Sequence, residues 1–183
     1  MKILIVYWQY KKQKSFMRIF KIRDVKTPTR GTNMSAGIDL YIPNDFHVKR
    51  DGKLHPAPSY DRDYQMLSLE PGESALIPSG IKAKVPKDRA LIAFNKSGVA
   101  VNKNLMVGAC VIDEDYTGEI HIDIKNVGNK KVWISAGDKI IQLLCIPVDY
   151  VDIIETSSED ECFGDSLNTS ERGSGGFGST GTK

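Results

Sequence analysis

Apolar residues recur at every second position in short runs, and no long stretch holds a helical period. Ile120, Ile122 and Ile124 alternate with Glu119, His121, Asp123 and Lys125, and Ile81, Ala83 and Val85 alternate with Lys82 and Lys84. A two-residue period puts one set of side chains on a buried face and the other in water, as in a β-strand. The apolar runs 90–94, 105–112 and 140–146 read as strands buried on both faces. Turn signals separate these runs: Pro71-Gly72, Pro78-Ser79-Gly80, Pro86-Lys87-Asp88, Gly128-Asn129 and Ala136-Gly137-Asp138. Only residues 97–104 suit a short helix. Many short strands at regular spacing imply an all-β sandwich or barrel.

Composition narrows the function classes. The 183 residues carry 25 Lys and Arg against 23 Asp and Glu, a net charge of only +2. A chain that grips nucleic acid through many phosphates has a larger basic excess, so nucleic acid is not an expected partner. Cys110, Cys145 and Cys162 show no CxxC spacing, which argues against a disulfide framework or a cysteine zinc site and fits a reducing compartment. The apolar run 3–8 is too short to span a membrane and lacks a small-residue cleavage site after it, so neither a membrane nor secretion is expected. His47, His55 and His121 are too dispersed to suggest a metal site, and His121 is expected to face solvent. Trp133 reads as strand packing.

Charge and rhythm divide the chain. The first 23 residues hold seven basic side chains and no acidic one, whereas 155–171 hold six acids and no Lys or Arg. The expected organisation is a basic extension at 1–16, a β core at 17–154, an acidic flexible linker at 155–171 and a glycine-rich segment at 172–183. Within the core, the polar stretch 45–65, with Pro56 and Pro58, reads as an inserted surface loop. It is a candidate surface for a protein partner of unspecified kind.

Five segments carry chemistry. The first is Arg172-Gly173-Ser174-Gly175-Gly176-Phe177-Gly178-Ser179-Thr180-Gly181. A flexible tail has this composition, and so does a mobile phosphate cradle. Glycines let successive N–H groups converge on an anion, Arg172 adds a charged fork, and Ser179 and Thr180 add donors. Phe177 suits a lid that stacks on a flat base. The second is the acidic run Asp113-Glu114-Asp115-Tyr116-Thr117-Gly118-Glu119, either an acidic hairpin end or a carboxylate placed to take a proton from water. The third, Asn95-Lys96-Ser97-Gly98, offers a cation and donors at the start of a helix, where phosphate oxygens are held. The fourth and fifth, Ala36-Gly37-Ile38-Asp39-Leu40-Tyr41 and Ala136-Gly137-Asp138-Lys139-Ile140-Ile141-Gln142-Leu143, are each, taken alone, a turn followed by a strand.

In this order and spacing the five segments resemble the trimeric dUTPase family, from about Met17 to Thr182. Gly108-Ala109-Cys110-Val111-Ile112-Asp113-Glu114-Asp115-Tyr116-Thr117-Gly118 and the Arg172 to Gly181 segment are the specific ones. The resemblance implies a jelly-roll-like β-barrel of β-clip type. It implies a homotrimer with a swapped C-terminal arm and three active sites at subunit interfaces. The implied reaction is hydrolysis of dUTP to dUMP and pyrophosphate, with Mg²⁺ bound across the triphosphate; it limits uracil in DNA and supplies dUMP for thymidylate synthesis. By motif match, Asp113 is the general base that activates water toward the α-phosphorus. Tyr116 packs under the deoxyribose and excludes a 2′-hydroxyl. The hairpin from Cys110 through Ile112 to Tyr116 reads uracil through its backbone. Lys96, Ser97, Gly98 and Gln142 hold phosphate oxygens. Asp39 lies behind them, orienting the basic residue or a metal-bound water. Arg172 and Phe177, Gly178, Ser179 and Thr180 close over the substrate from a neighbouring subunit. The implied location is the cytoplasm, or the nucleus, or a host's cytoplasm if the source is viral.

Two positions depart from the family pattern. Asn95-Lys96 stands where Pro-Arg precedes Ser-Gly, and a lysine lacks arginine's planar fork. Cys110 stands where a second glycine is common, and its Cβ would crowd a hairpin that needed positive φ there. Two other functions fit parts of the chain. A dCTP deaminase-type relative shares the fold but needs a different acid/base set. A binding or regulatory module would use the nucleotide pocket, the 45–65 insertion and the charged arm to engage a protein, and it has no need of a base such as Asp113.

Overall fold

Pleating sorts side chains to two sides of each strand, and the buried set in this chain is the alternating one. Ile120, Ile122 and Ile124 are buried, as are Ile81 and Val85, while Lys82 and Lys84 are exposed. The structure is a computed structural model that describes residues 16–45, 47–50, 53–56, 59–61, 64–165, 169–171 and 173–175. The strands among them are β1 (Arg18–Lys21), β2 (Ile38–Leu40), β3 (His47–Arg50), β4 (Lys53–Pro56), β5 (Ser59–Asp61), β6 (Tyr64–Leu69), β7 (Ser74–Pro78), β8 (Ile81–Lys84), β9 (Arg89–Asn95), β10 (Leu105–Val107), β11 (Val111–Ile112), β12 (His121–Asn126), β13 (Val132–Ser135) and β14 (Ile141–Pro147). The helices are α1 (Ser97–Lys103) and α2 (Glu159–Phe163). Among the described residues no helix is long and apolar enough to cross a membrane.

All named pairings are antiparallel. The strands form sheets ordered β10-β12-β7-β3-β4, β11-β9-β14-β2, β13-β6-β5 and β1-β8. The architecture is therefore the expected all-β one, with the strands shared among four sheets rather than one closed cylinder. Register places Ile122 opposite Ile77 and Ile124 opposite Ala75, so one face of the five-stranded sheet feeds the core. Leu40, Leu67, Leu69, Leu91, Ile134, Ile141 and Leu143 complete it from the other sheets. Each such side chain contributes about 1.5–3 kcal/mol on burial. Gly72, Gly80 and Gly137 occupy the signalled turns at φ of 84°, 73° and 79°.

The structure corrects the sequence reading in several places. Segment 45–65 is not a plain loop. It contains β3, β4, β5 and the start of β6, and the β3–β4 hairpin extends the five-stranded sheet through Lys49 opposite Leu76. The run 105–112 is two strands interrupted by Gly108, Ala109 and Cys110, all exposed. Runs 90–94 and 140–146 are buried chiefly on one face: Phe94 is 46% exposed and Ile146 37%. Their apolar character marks one core face and one outward apolar face. The stretch 155–171 is not all linker either. Ser158 caps α2 by accepting from the Glu161 N–H at 3.2 Å, and Glu161 accepts from the Ser157 N–H and hydroxyl at 2.9 and 2.8 Å. Those bonds, the backbone one foremost, hold the Glu161 carboxyl below its usual pKa. The chain divides into two units, Met1–Asp149 and Tyr150–Lys183.

Candidate active site

Two clusters of the expected residues form on one sheet. The first gathers around the turn after β11. Ala109, Cys110, Val111, Ile112, Asp113, Tyr116 and His121 line a cleft of about 240 Å³. Strand β11 ends at Ile112, and the chain turns at once, with the Tyr116 N–H donating to the Asp113 carbonyl at 3.3 Å. Asp113 therefore stands exposed at the mouth of the cleft rather than within a strand. The acidic run is partly relieved by use, because the Glu114 carboxylate accepts from the Asp88 N–H at 2.7 Å.

The cleft wall is held from behind. The Ala109 N–H donates to Asp123 Oδ2 at 2.9 Å and the Gly108 N–H to the Asp123 carbonyl at 3.0 Å. The Ala93 N–H donates to the Cys110 carbonyl at 2.7 Å, fixing the other side of the hairpin. Cys110 is not among the described residues with positive φ, so its Cβ fits without backbone strain.

Tyr116 is fixed by its own hydroxyl, which donates to the Glu119 carbonyl at 2.8 Å, and its ring lies so close to Gly118 that a Cβ there would overlap it. His121 Nδ1 meets the same carbonyl at 2.9 Å, so this nitrogen carries the proton. The Glu119 carboxylate accepts from Arg23 Nε at 2.9 Å and from the Gly80 N–H at 2.7 Å. This bond and the ion pair raise the Arg23 pKa above its ordinary value against the opposing effect of burial.

The second cluster forms where β9, β14 and β2 run side by side. Gln142 on β14 lies opposite Phe94 on one side and Asp39 on the other. Its amide nitrogen donates to the Asn95 carbonyl at 2.9 Å. A Cβ on Gly37 would overlap the Gln142 side chain, which explains the glycine before Asp39. Lys96 precedes α1, and the Val99 and Ala100 N–H groups donate to its carbonyl at 2.9 and 2.8 Å. The first-turn N–H groups of Ser97 and Gly98 take no bond within the helix, and both residues are exposed. Lys96 Nζ lies 2.5 Å from Asp39 Oδ1, and Lys139 Nζ lies 3.2 Å from Asp39 Oδ2. Asp39 thus has an amine on each carboxylate oxygen. The departure at Asn95 has a structural use: its Oδ1 accepts from the Val107 N–H at 2.8 Å and ties β9 to β10.

The structure brings some of the expected residues together. Asp113, Cys110, Ile112 and Tyr116 come together, as do Lys96, Gln142 and Asp39 with Ser97 and Gly98 adjacent. Arg172, Phe177, Gly178, Ser179 and Thr180 lie outside the described residues. Asp123, Glu119, Lys139 and the cleft position of His121 were missed. Their roles depend on contacts between distant strands, although the period-two pattern put His121 and Asp123 on one outward face. Among the described residues no group of three or more His, Cys, Asp and Glu is placed to cage a metal.

Comparison with known proteins shows the family. A family model described as dUTPase matches residues 61–181. The chain is 34% identical over 154 residues to the deoxyuridine 5′-triphosphate nucleotidohydrolase of Mus musculus, covering 84% of this chain and 77% of that one. Its fold is similar to a mutant dUTPase of Staphylococcus bacteriophage 80alpha with dUpNHpp, at a TM-score of 0.69 and 20% identity, covering 92% of this chain and 99% of that one. It is also similar to a mutant dUTPase from phage phi11 of S. aureus whose structure reveals the coordination of a structural Mg(II) ion. There the TM-score is 0.63 and the identity 18%, covering 80% of this chain and 99% of the other.

Proposed function

Because the chain belongs to the dUTPase family, we propose that it hydrolyses dUTP by a water molecule that Asp113 deprotonates. The oxygen of that water forms a bond to the α-phosphorus as the bond to the α,β-bridging oxygen breaks, and pyrophosphate departs with the electron pair. Asp113 keeps the proton until it returns to solvent. The cleft beside it takes the nucleoside. Hairpin backbone groups between Cys110 and Ile112 face the uracil edge, whose N3–H and O4 present donor and acceptor in the opposite order from cytosine. Tyr116, pinned through its hydroxyl and against Gly118, leaves no slack for a ribose 2′-hydroxyl. Lys96, the Ser97 and Gly98 N–H groups and Gln142 take the phosphates, which makes catalysis largely a matter of positioning.

The donor set suits magnesium held mainly by the triphosphate, because the described residues offer no cage of their own and Mg²⁺ is commonly bound with substrate phosphates. When bound, the ion would neutralise charge developing on the phosphate oxygens.

Family membership supports the homotrimer, and the sheet order β11-β9-β14-β2 frames how its sites would be shared. The nucleoside cleft lies at the β11 edge, and the phosphate cluster spans the neighbouring strands β9, β14 and β2. Two protomers set edge to edge bring a cleft from one to a phosphate cluster of the other. A third supplies the arm with Arg172, Phe177, Gly178, Ser179 and Thr180, which closes over the bound nucleotide and expels water. The product serves thymidylate synthesis, and removal of dUTP limits uracil in DNA.

The test is Asp113→Asn assayed with dUTP, dCTP and UTP in the presence of Mg²⁺. The parent should release pyrophosphate from dUTP alone. The variant should bind dUTP and turn it over about 10²–10⁴-fold more slowly. Unchanged hydrolysis by the variant refutes the assigned base.

A further inference from the structure

Asp39 is only 3% exposed, yet it faces two cations. A buried carboxylate needs one opposing charge to be tolerated. A second amine on the same group is in excess, and that excess makes one of them exchangeable. The two lysines are differently placed. Lys139 follows a turn fixed by the Gly137 N–H on the Ile42 carbonyl at 2.8 Å and by the Ser135 N–H on Asp138 Oδ2 at 3.0 Å, and buried Ile140 comes next. Lys96 lies at the mouth of α1, beside Ser97 and Gly98 and one residue after the carbonyl that Gln142 holds.

We propose that Lys139 is a positioning residue: it stays on Asp39 Oδ2, so that Lys96 can leave Oδ1 for a phosphate oxygen when the triphosphate arrives. The proposal rests on the dUTP reading of this site. A lysine suits this exchange because its ammonium is a compact charge on a flexible stem and can pivot between acceptors; a planar guanidinium gripping a carboxylate through two bonds resists it. Without Lys139, transfer of Lys96 to a phosphate would strand Asp39 as a buried, unpaired anion. Lys96 would then be held on Asp39 and withheld from the substrate.

Lys139→Gln is therefore expected to raise the KM for dUTP at least about tenfold and to weaken inhibition by pyrophosphate in parallel, with kcat changed less than about threefold. Affinity for deoxyuridine, which has no phosphate, should not move. Lys139→Arg should behave as the parent, because any cation that remains on Oδ2 suffices. In an Asp39→Asn background Lys139→Gln should have little further effect, since no buried anion is left to neutralise.

Unchanged KM and pyrophosphate inhibition in Lys139→Gln overturns the proposal. So does an equal loss in the Asp39→Asn background, or a loss of deoxyuridine affinity alongside that of pyrophosphate. Failure of the parent to hydrolyse dUTP would instead sink the functional reading, while calorimetric binding of pyrophosphate would still report on the lysine exchange.

Discussion

Single residues hold this site in shape through groups that touch no substrate. Gly118 is the sharpest case, because the Tyr116 ring occupies the space a side chain would need. Gly118→Ala should displace that ring, lower kcat/KM for dUTP several-fold and narrow the preference for dUTP over UTP, as read by steady-state kinetics on both nucleotides. Asn126 is buried, and its amide nitrogen donates to the Leu69 and Lys130 carbonyls at 2.9 and 2.8 Å while its Oδ1 accepts from the Gly128 N–H at 3.0 Å. Asn126→Ala leaves buried groups unpaired and should cost about 1–3 kcal/mol in a denaturant titration. Neither contact was legible in the sequence. The glycine before Glu119 and the asparagine that ends β12 look like ordinary turn chemistry until distant strands are brought against them. Asp113 was legible because its motif is local, and Lys139 was not because its partner lies on another strand.

At the level of elements, alternation was the readable signal wherever one face is buried. Ile122 lies on β12 opposite Ile77 and is fully buried, so Ile122→Ala should destabilise the fold by about 2–5 kcal/mol, again by denaturant titration. The β3–β4 hairpin escaped notice because His47, Lys49, Arg50, Lys53 and Pro56 look like loop composition, and it sits at the outer end of its sheet, where apolar alternation is not demanded. Helix α2 escaped for a related reason, since a five-residue helix rich in acids owes its form to its cap. Glu161 has its carboxyl pKa lowered by the Ser157 bonds. Its contribution is therefore present above the ordinary carboxylate range and is lost as pH falls through the lowered value. Amide NMR signals of residues 157–163 should lose their helical dispersion on acidification ahead of the β core, and Ser157→Ala should shift that loss toward higher pH.

For the molecule as a whole, the strand pattern announced an all-β fold, and the motif order announced the family. How the pieces combine was not written in composition, because sheet order is decided by pairing between segments far apart. Solution mass should be three times the 20.3 kDa protomer. Removal of residues 172–183 should leave the trimer intact and depress turnover; sedimentation and kinetics on the truncated chain would check both. Glu119 links these scales. Its carboxylate is bound to Arg23, 96 positions earlier, while its carbonyl steadies Tyr116. Drift near the amino end would thus retune the ribose rejection proposed for Tyr116 without altering any side chain proposed to touch the nucleotide. Libraries that diversify only the pocket lining would never sample that route.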